Sequence, residues 1–423
     1  MVRAWSRPVV ALVLLAGLGC TVDEADVRSY SRRSNGRAKL FAVLTDPQYA
    51  LELRSVAAQE LIGINALTDL EEGLKTMPEG DRPGVVEAVV AAQKKELSGA
   101  NQQKQIRAKD VLYLVLPYLS GGAKEEVENL LIRWTTEKFS LRFRFGKFGT
   151  EKILDRIGEK AVPHVLALLR AGKDTVHVAR ILKGLDNPEA VASAADALIE
   201  SLETKVMENS EPKILALGEL GGAKSLAYLN TLAANNKTAG AWDRLKAMDE
   251  LLKLSDKSSQ ETAVSIVSDR DAQFDLRRKA LDLLGRVGDR DALPALFVAV
   301  GDADLRGPAW ELTLRFGGAD ALRRLLTKEV KADWKMDKAG IDTLVRAMAK
   351  LGPSAEPALV AGLKVRKNLP ARLISIRGLA QQGTRDAISA LQDLMDDDTT
   401  LGEMGTSSVG IEATTAINKI SRR

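Results

Sequence analysis

The chain has one cysteine, Cys20, and only two histidines among its 423 residues. A single cysteine excludes disulfides within the chain, so packing must stabilise the fold. Zinc sites built from cysteine and histidine lack enough ligands, and no later cysteine could form a nucleophilic pair with His164 or His177. Both histidines are interpreted as surface or packing residues, and no metal or cofactor is expected.

Aromatic residues are also scarce, at 4 % of the chain. A β-sandwich or barrel would need more aromatic and β-branched residues, whereas helices can pack closely through small ones. Apolar residues make up 45 % and charged residues 28 %, which excludes a disordered chain. The net charge of +4 is small for this length, so nucleic acid is not expected as a partner.

The N-terminus, MVRAWSRPVVALVLLAGLGC, joins two arginines to an apolar stretch over residues 8–19. A membrane-spanning helix needs about 20 apolar residues, so this stretch is too short to remain in a bilayer. Its proportions are those of a cleavable export signal. The sequence leaves two interpretations open: an ordinary secretory signal with an unmodified cysteine near its end, or a lipoprotein signal.

The residues before Cys20 resemble the lipobox of bacterial lipoproteins, although Gly17 occupies the position where leucine is usual. The resemblance implies that residues 1–19 are removed and that Cys20 is acylated, for example with palmitate. Residues 20–37 are polar and lack apolar periodicity, which predicts a flexible tether. By the same resemblance, Thr21 after the cysteine favours the outer membrane of a bacterial envelope.

From residue 38 onward, helical segments alternate with short turns, most clearly in 276–300. There, an apolar helical pattern is followed by a Gly-Asp-Arg-Asp turn and by Pro294, which is favourable near a helix start. Small residues recur in the same register about every 32 residues. They are Ala161, Ala190, Ser225, Ser259, Ala292, Ala321, Ala355 and Ala387. The residue four positions after each is apolar, which predicts stacked helical hairpins.

Glycine stands four positions before several of these small residues, at Gly221, Gly288, Gly317 and Gly383. We expect glycine there to supply the left-handed backbone that ends the first helix of each hairpin.

These features resemble the HEAT-repeat family, an armadillo-like group of helical repeats. The residues that carry the resemblance best are Leu284, Gly285, Asp289, Ala292, Pro294 and Leu296. The resemblance implies an all-α fold, a right-handed α-solenoid of HEAT-like helical hairpins that binds partners on its curved surface. Within the predicted repeat array, 150–423, the resemblance covers about 150–395 well. It is weaker over the divergent repeats of 38–149, although Arg54 fits the scheme.

Residues 138–149, KFSLRFRFGKFG, mix phenylalanine with basic residues at a spacing of two, which predicts an extended segment or a long turn. Such a mixture suits base stacking, anionic lipid headgroups or a protein partner. The alternative is an insertion whose phenylalanines fill the core. The candidate partner-binding residues are Arg142, Phe143, Arg144, Phe145, Lys147 and Phe148.

Two other stretches give weaker indications of a binding site. Residues 218–225 differ by one residue from a phosphate-binding P-loop, but they follow a predicted helix where that motif requires a strand. Basic residues between Lys364 and Arg385 are able to form a strip, or simply belong to solvated helix faces.

The sequence thus predicts a lipid-anchored envelope scaffold that binds a protein and has no catalytic activity or small-molecule substrate. The alternative is a HEAT-like enzyme of the lyase type, acting on a small ligand in the concave groove.

Overall fold

The computed structural model describes residues 22–137, 146–204, 210–235, 238–405 and 407–423. Regular secondary structure in these residues is helical, apart from an isolated antiparallel bridge between Thr400 and Ser408. The predicted all-α class is therefore confirmed. Contacts divide the chain into an N-terminal unit, Met1–Val165, and a C-terminal unit, Leu166–Arg423.

The helices of the N-terminal unit form two layers. Helices α1, α3 and α5 pack in succession in one layer, and α2, α4 and α6 in the other. Their bounds are α1 Glu24–Tyr30, α2 Gly36–Thr45, α3 Leu51–Gly63, α4 Leu67–Thr76, α5 Arg82–Leu97, α6 Gln102–Val115, α7 Gly121–Thr136 and α8 Thr150–Ile157. Helix α9, Val162–Arg170, spans the limit between the units.

Helix α1 lies inside the range 20–37, and there the prediction of a flexible tether is wrong. Asp23 and Asp26 form a reciprocal capping box at the start of the helix, which satisfies backbone N–H groups that would otherwise lack partners. Val27 is fully buried, and α1 packs on α3. One apolar residue and a good cap thus order a segment whose composition is otherwise polar.

The C-terminal unit repeats the same two-layer arrangement. Its helices are α10 Thr175–Gly184, α11 Pro188–Thr204, α12 Ser210–Leu220, α13 Gly222–Ala234, α14 Ala241–Leu254, α15 Gln260–Ser268, α16 Phe274–Val287, α17 Leu293–Val300, α18 Arg306–Arg324, α19 Lys338–Met348, α20 Glu356–Leu363, α21 Leu369–Gln382, α22 Ile388–Gln392 and α23 Val409–Ser421. Helices α10, α12, α14, α16 and α18 pack in succession, and so do α11, α13, α15 and α17. Each helix contacts its hairpin partner and its neighbours, which is the packing of a solenoid. The handedness of the array stays a prediction.

The predicted register is confirmed at all eight small residues, because each of them is buried. The apolar residues four positions later are fully buried: Val165, Ala194, Leu229, Ala263, Leu296, Leu325, Leu359 and Leu391. In five repeats the small residue ends a 3-10 turn that leads into the second helix. Small side chains at this point let consecutive hairpins approach closely.

The role predicted for glycine holds at one turn and is wrong at others. Gly221 has a left-handed φ of 65°, whereas Gly288 and Gly383 are extended, with φ of −70° and −67°. A Cβ atom at Gly288 would collide with the carbonyl oxygen of Leu284, and one at Gly383 with that of Leu379. Close approach of the backbone therefore explains the glycine at these two turns.

A buried arginine recurs four residues after the N-cap of a first-layer helix, at Arg54, Arg244, Arg277 and Arg372. In three repeats its guanidinium donates to a carbonyl oxygen at or near the C-terminal end of the preceding second-layer helix. The pairs are Arg54 with Leu44 at 3.0 Å, Arg244 with Ala233 at 3.0 Å and Arg277 with Val267 at 3.4 Å. These carbonyls have no partner within their own helix.

In three repeats the same arginine also binds an aspartate in the loop after its own hairpin. The pairs are Arg54 with Asp81 at 2.8 Å, Arg277 with Asp302 at 2.5 Å, and Arg372 with Asp397. Hydrogen bonds from Thr399 and Arg372 lower the pKa of Asp397 to about 2. Arg54 and Arg277 make both contacts, and we call this arrangement the arginine clamp, because one guanidinium joins the end of one hairpin to the end of the next.

The prediction of an exposed basic strip between Lys364 and Arg385 is wrong for two of its arginines, Arg372 and Arg377. Arg372 pairs with Asp397, and Arg377 pairs with Asp342 at 3.0 Å and Glu412 at 2.8 Å. Their side chains are only 7 % and 11 % exposed, so neither is available at the surface. The exposed members are Lys364, Arg366, Lys367 and Arg385.

None of the described helices combines the length and apolar character that crossing a bilayer requires.

We expect Ser259→Ala to stabilise the protein by about 1 kcal/mol, because the buried Ser259 hydroxyl has no hydrogen-bond partner among the described residues. Alanine already occupies the equivalent position in other repeats. Chemical denaturation measures the change. Ser268→Ala, at an exposed position, is the control and should change the free energy of unfolding by less than about 0.5 kcal/mol. Destabilisation by Ser259→Ala would contradict this account of the register.

Candidate functional site

Two adjacent charged residues, Lys109 and Asp110, are buried in the middle of helix α6. Their side chains are 1 % and 5 % exposed, and Nζ lies 2.8 Å from Oδ1. Burial lowers the pKa of Lys109 below its ordinary value, whereas the hydrogen bond and charge of Asp110 oppose this shift. Buried charges are costly unless other polar groups also satisfy them.

The additional partners come from the end of the predicted partner-binding segment. Asp110 accepts hydrogen bonds from the backbone N–H groups of Lys147, at 2.7 Å, and Phe148, at 3.0 Å. Lys109 donates to the carbonyl oxygen of Phe148. Gly146 has a left-handed φ of 88°, and a Cβ atom there would collide with the Asp110 carboxylate. The buried pair thus fixes the backbone of residues 146–148 on helix α6.

Aromatic rings and cations cover this attachment. The Phe148 and Tyr113 ring centroids lie 4.4 Å apart. The Arg156 guanidinium lies 4.1 Å from the Tyr113 ring, and its Nη1 donates to the Tyr113 carbonyl at 3.1 Å. The Lys147 ammonium lies 5.4 Å from the Phe148 ring. Cations are attracted to aromatic faces at such distances. We call Tyr113, Lys147, Phe148 and Arg156 the cation–aromatic surface.

The positive charge of this surface reaches helix α4. The pKa of Glu71 is lowered, mainly by a hydrogen bond from Lys75 and further by the charges of Lys147 and Arg156. Lys147 and Arg156 are themselves exposed, and neither forms an ion pair within the described parts of the chain. The surface therefore presents cations in fixed positions to solvent.

The structure places two of the predicted site residues and leaves the others undescribed. Lys147 is exposed and Phe148 is half-buried, so this end of the segment combines an accessible cation with a ring that is partly used in packing. The remaining predicted residues, Cys20, Arg142, Phe143, Arg144 and Phe145, lie outside the described residues.

The residues that hold the segment could not be predicted from the segment itself, because they lie in other elements. Lys109, Asp110 and Tyr113 precede the attached residues 146–148 by more than thirty positions, and Arg156 follows in helix α8. One sequence feature indicated these partners. Lys109 and Asp110 interrupt the apolar face of a helix that continues as Val-Leu-Tyr-Leu-Val, and two buried charges need polar partners.

The segment that resembles a P-loop is a helix–helix turn. Helix α12 ends at Leu220 and α13 begins at Gly222, so no strand precedes the turn. A Cβ atom at Gly218 would collide with the carboxylate of Glu250. Lys224, which would contact phosphate in a P-loop, pairs with Asp196 at 2.6 Å. Packing thus explains the residues of this motif.

Neither histidine belongs to a cluster of potential metal ligands in the described residues. His164 is exposed, and His177 lies 3.5 Å from the Asp174 carboxylate. In the part of the chain that the structure describes, no group of three or more His, Cys, Asp and Glu side chains is placed to hold a metal ion.

No protein-family model matches the sequence, and no curated protein matches it significantly. Among solved structures, the chain is similar to a mutant of Kap121p, with 12 % identity and a TM-score of 0.42 over 95 % of this chain and 52 % of that chain. It is also similar to a structure from work on a phosphorylation switch in the interaction between cadherin and beta-catenin. That match has 13 % identity and a TM-score of 0.28 over 97 % and 98 % of the two chains.

A third similarity is to a structure from work on Kap95p binding to RanGDP, with 13 % identity and a TM-score of 0.20 over 96 % of this chain and 50 % of that one. The chain thus spans about half the length of the Kap121p and Kap95p-related chains that it matches. Similarities this weak support no inference about activity or partners. The helices pack as stacked hairpins, as HEAT repeats do, but membership of the HEAT-repeat family stays a prediction.

We expect Asp110→Asn to lower the free energy of unfolding by about 3 kcal/mol, because it leaves Lys109 buried without a counter-charge. Amide hydrogens of residues 147 and 148 should also exchange faster with solvent. Denaturation and hydrogen exchange measure the two effects. Asp155→Asn, at an exposed position, is the matched control and should change neither. Unchanged exchange at 147 and 148 would show that Asp110 does not hold the segment.

Proposed function

We propose that the chain is a non-catalytic scaffold of the bacterial envelope that binds a protein partner through the cation–aromatic surface and is anchored by acyl chains at Cys20. The observation that carries the proposal is the attachment of Lys147 and Phe148 to a buried ion pair. A loop held in this way presents its side chains in fixed positions, which lowers the entropy lost on binding.

The chemistry of the surface supports a protein with acidic groups as the partner. Arginine is enriched among residues that dominate binding energy at protein interfaces. Tyr113 is buried and holds Arg156 through its ring and its carbonyl oxygen. Lys147 and Arg156 project positive charge that no carboxylate among the described residues neutralises by direct pairing. Complementary charge increases the association rate and excludes partners of the wrong sign.

The anchor in this proposal rests on the sequence alone. Cys20 follows a short apolar stretch that resembles a lipoprotein signal, and the two apolar acyl groups that such proteins carry would hold the chain stably at a membrane. By the same resemblance the outer membrane is the expected location. Replacing Cys20 with serine should abolish labelling with a fatty-acid analogue and release the protein from the membrane fraction.

The binding proposal predicts a change in the proteins recovered after crosslinking in intact cells. Wild type should yield a discrete set of envelope proteins, and Lys147→Glu/Arg156→Glu should lose that set because it reverses the charge of the surface. Lys364→Glu/Arg366→Glu makes the same change at exposed positions of the C-terminal unit and should retain the set. Circular dichroism must show that both variants are folded.

Two outcomes would contradict the proposal in different ways. Recovery of the same proteins with the Lys147→Glu/Arg156→Glu variant would place the binding site elsewhere on the chain. Recovery of no protein by any form, including wild type, would contradict the scaffold function itself.

A further inference from the structure

Two clefts of the N-terminal unit meet at the side chain of Arg107. The smaller, of about 390 Å³, lies beside the cation–aromatic surface and is lined by Thr68, Gln103 and Lys147 in addition to Arg107. The larger, of about 650 Å³, lies between helices α3 and α5 and also includes Arg107. Both clefts are lined by Arg107, and we call these two adjoining clefts the groove.

Arg107 is held firmly where the clefts meet. Its Nη1 donates to the carbonyl oxygens of Ile62, at 3.3 Å, and Gly63, at 2.8 Å. These carbonyls belong to the last turn of helix α3, where intrahelical partners are lacking. The guanidinium has five N–H donors, so the two bonds made by Nη1 leave other donors available to a ligand.

The larger cleft contains an amide side chain that forms no hydrogen bond with the described residues. Gln93 is only 6 % exposed and lines the cleft, so its amide is open to a group bound in the cleft. A side-chain amide both donates and accepts, which matches the peptide group of a bound chain.

The lining of the larger cleft includes four small residues, which are Gly63, Ala88, Ala91 and Ala92. Small side chains allow another polypeptide backbone to approach closely. Small lining residues alone do not identify a ligand, but they leave room for a peptide backbone beside the amide of Gln93.

The charges along the groove do not cancel. Arg28 pairs with two carboxylates, Glu24 at 2.7 Å and Glu60 at 3.4 Å. Lys104 pairs with Glu96 at 3.1 Å, and Lys109 with Asp110 at 2.8 Å. Lys95, Arg107 and Lys147 remain without a carboxylate partner among the described residues, and they are distributed from one cleft to the other. The excess charge of the groove is therefore positive.

We propose that an acidic peptide segment of the partner lies along this groove, with carboxylates against Lys147, Arg107 and Lys95 and a peptide group against the amide of Gln93. This inference rests on the proposed function and adds the chemical class of the bound segment. It also extends the binding site beyond the cation–aromatic surface.

Helix α6 gives a scale for the length of the segment. Lys104 lines the larger cleft and Asp110 the smaller one, and along α6 they are separated by about 9 Å. An extended chain advances about 3.3 Å per residue. A segment of about three residues would therefore extend from the level of Lys104 to that of Asp110.

The test uses a fluorescent oligoglutamate peptide as the probe, with an oligoglutamine peptide of the same length as the control. Fluorescence anisotropy with the full chain should detect binding of the acidic peptide only, and the affinity should fall as salt is added. Lys95→Glu/Lys147→Glu should weaken binding by about tenfold or more. Lys364→Glu/Lys367→Glu has the same charge change at exposed positions of the C-terminal unit and should leave the affinity within about twofold.

A second variant tests the neutral part of the site. Gln93→Ala leaves the net charge unchanged and should weaken binding about fivefold, because it removes the hydrogen bonds to the bound peptide. Retained salt dependence in this variant would show that the contribution of Gln93 is not electrostatic steering.

Equal loss of affinity in the two charge-reversed variants would overturn the inference, since the peptide would then respond to net charge alone. Absence of oligoglutamate binding to wild type would overturn it as well. If partner proteins are nevertheless crosslinked in cells and lost with Lys147→Glu/Arg156→Glu, the proposed function stands and only the acidic groove fails.

Discussion

At Arg54 and Arg277, consecutive hairpins are joined by a buried guanidinium that two separate elements must satisfy together. Most of the helices have fourteen residues or fewer, which is too short to be stable alone, and a buried arginine without partners would be strongly destabilising. In the arginine clamp, Arg277 obtains one partner from the end of the preceding hairpin and another from the loop after its own. Its burial is therefore tolerable only when consecutive hairpins are stacked in register, which links the folding of one repeat to the next.

The same constraint shapes the candidate site. Lys109 and Asp110 are buried in a helix, and their remaining hydrogen-bonding capacity is satisfied by the backbone of residues 147 and 148. A structural requirement of the core thus fixes the end of a segment rich in arginine and phenylalanine. The cations Lys147 and Arg156 lie beside the rings of Phe148 and Tyr113. Together with the groove at Arg107, they are the basis for proposing a partner with acidic groups.

The sequence predicted the helical repeat well, because a small residue followed by an apolar one recurs at a spacing that only stacked hairpins explain. It predicted side-chain environments poorly where these depend on distant residues. Arg372 appears as one more basic residue in a charged stretch, and only its packing against Asp397 reveals that it is buried. Gly288 shows the same limit, since the carbonyl oxygen that excludes a side chain there is visible only in three dimensions.

The most direct test of the arginine clamp is a double-mutant cycle on Arg277→Gln and Asp302→Asn, measured by chemical denaturation. The account predicts a coupling energy of about 2 kcal/mol, because each partner compensates for the burial of the other. The exposed pair Arg290 and Asp320, with side chains 70 % and 91 % exposed, provides the comparison and should show a coupling of less than about 0.5 kcal/mol. Equal, small couplings in both cycles would contradict the claim that the buried arginine holds consecutive repeats together.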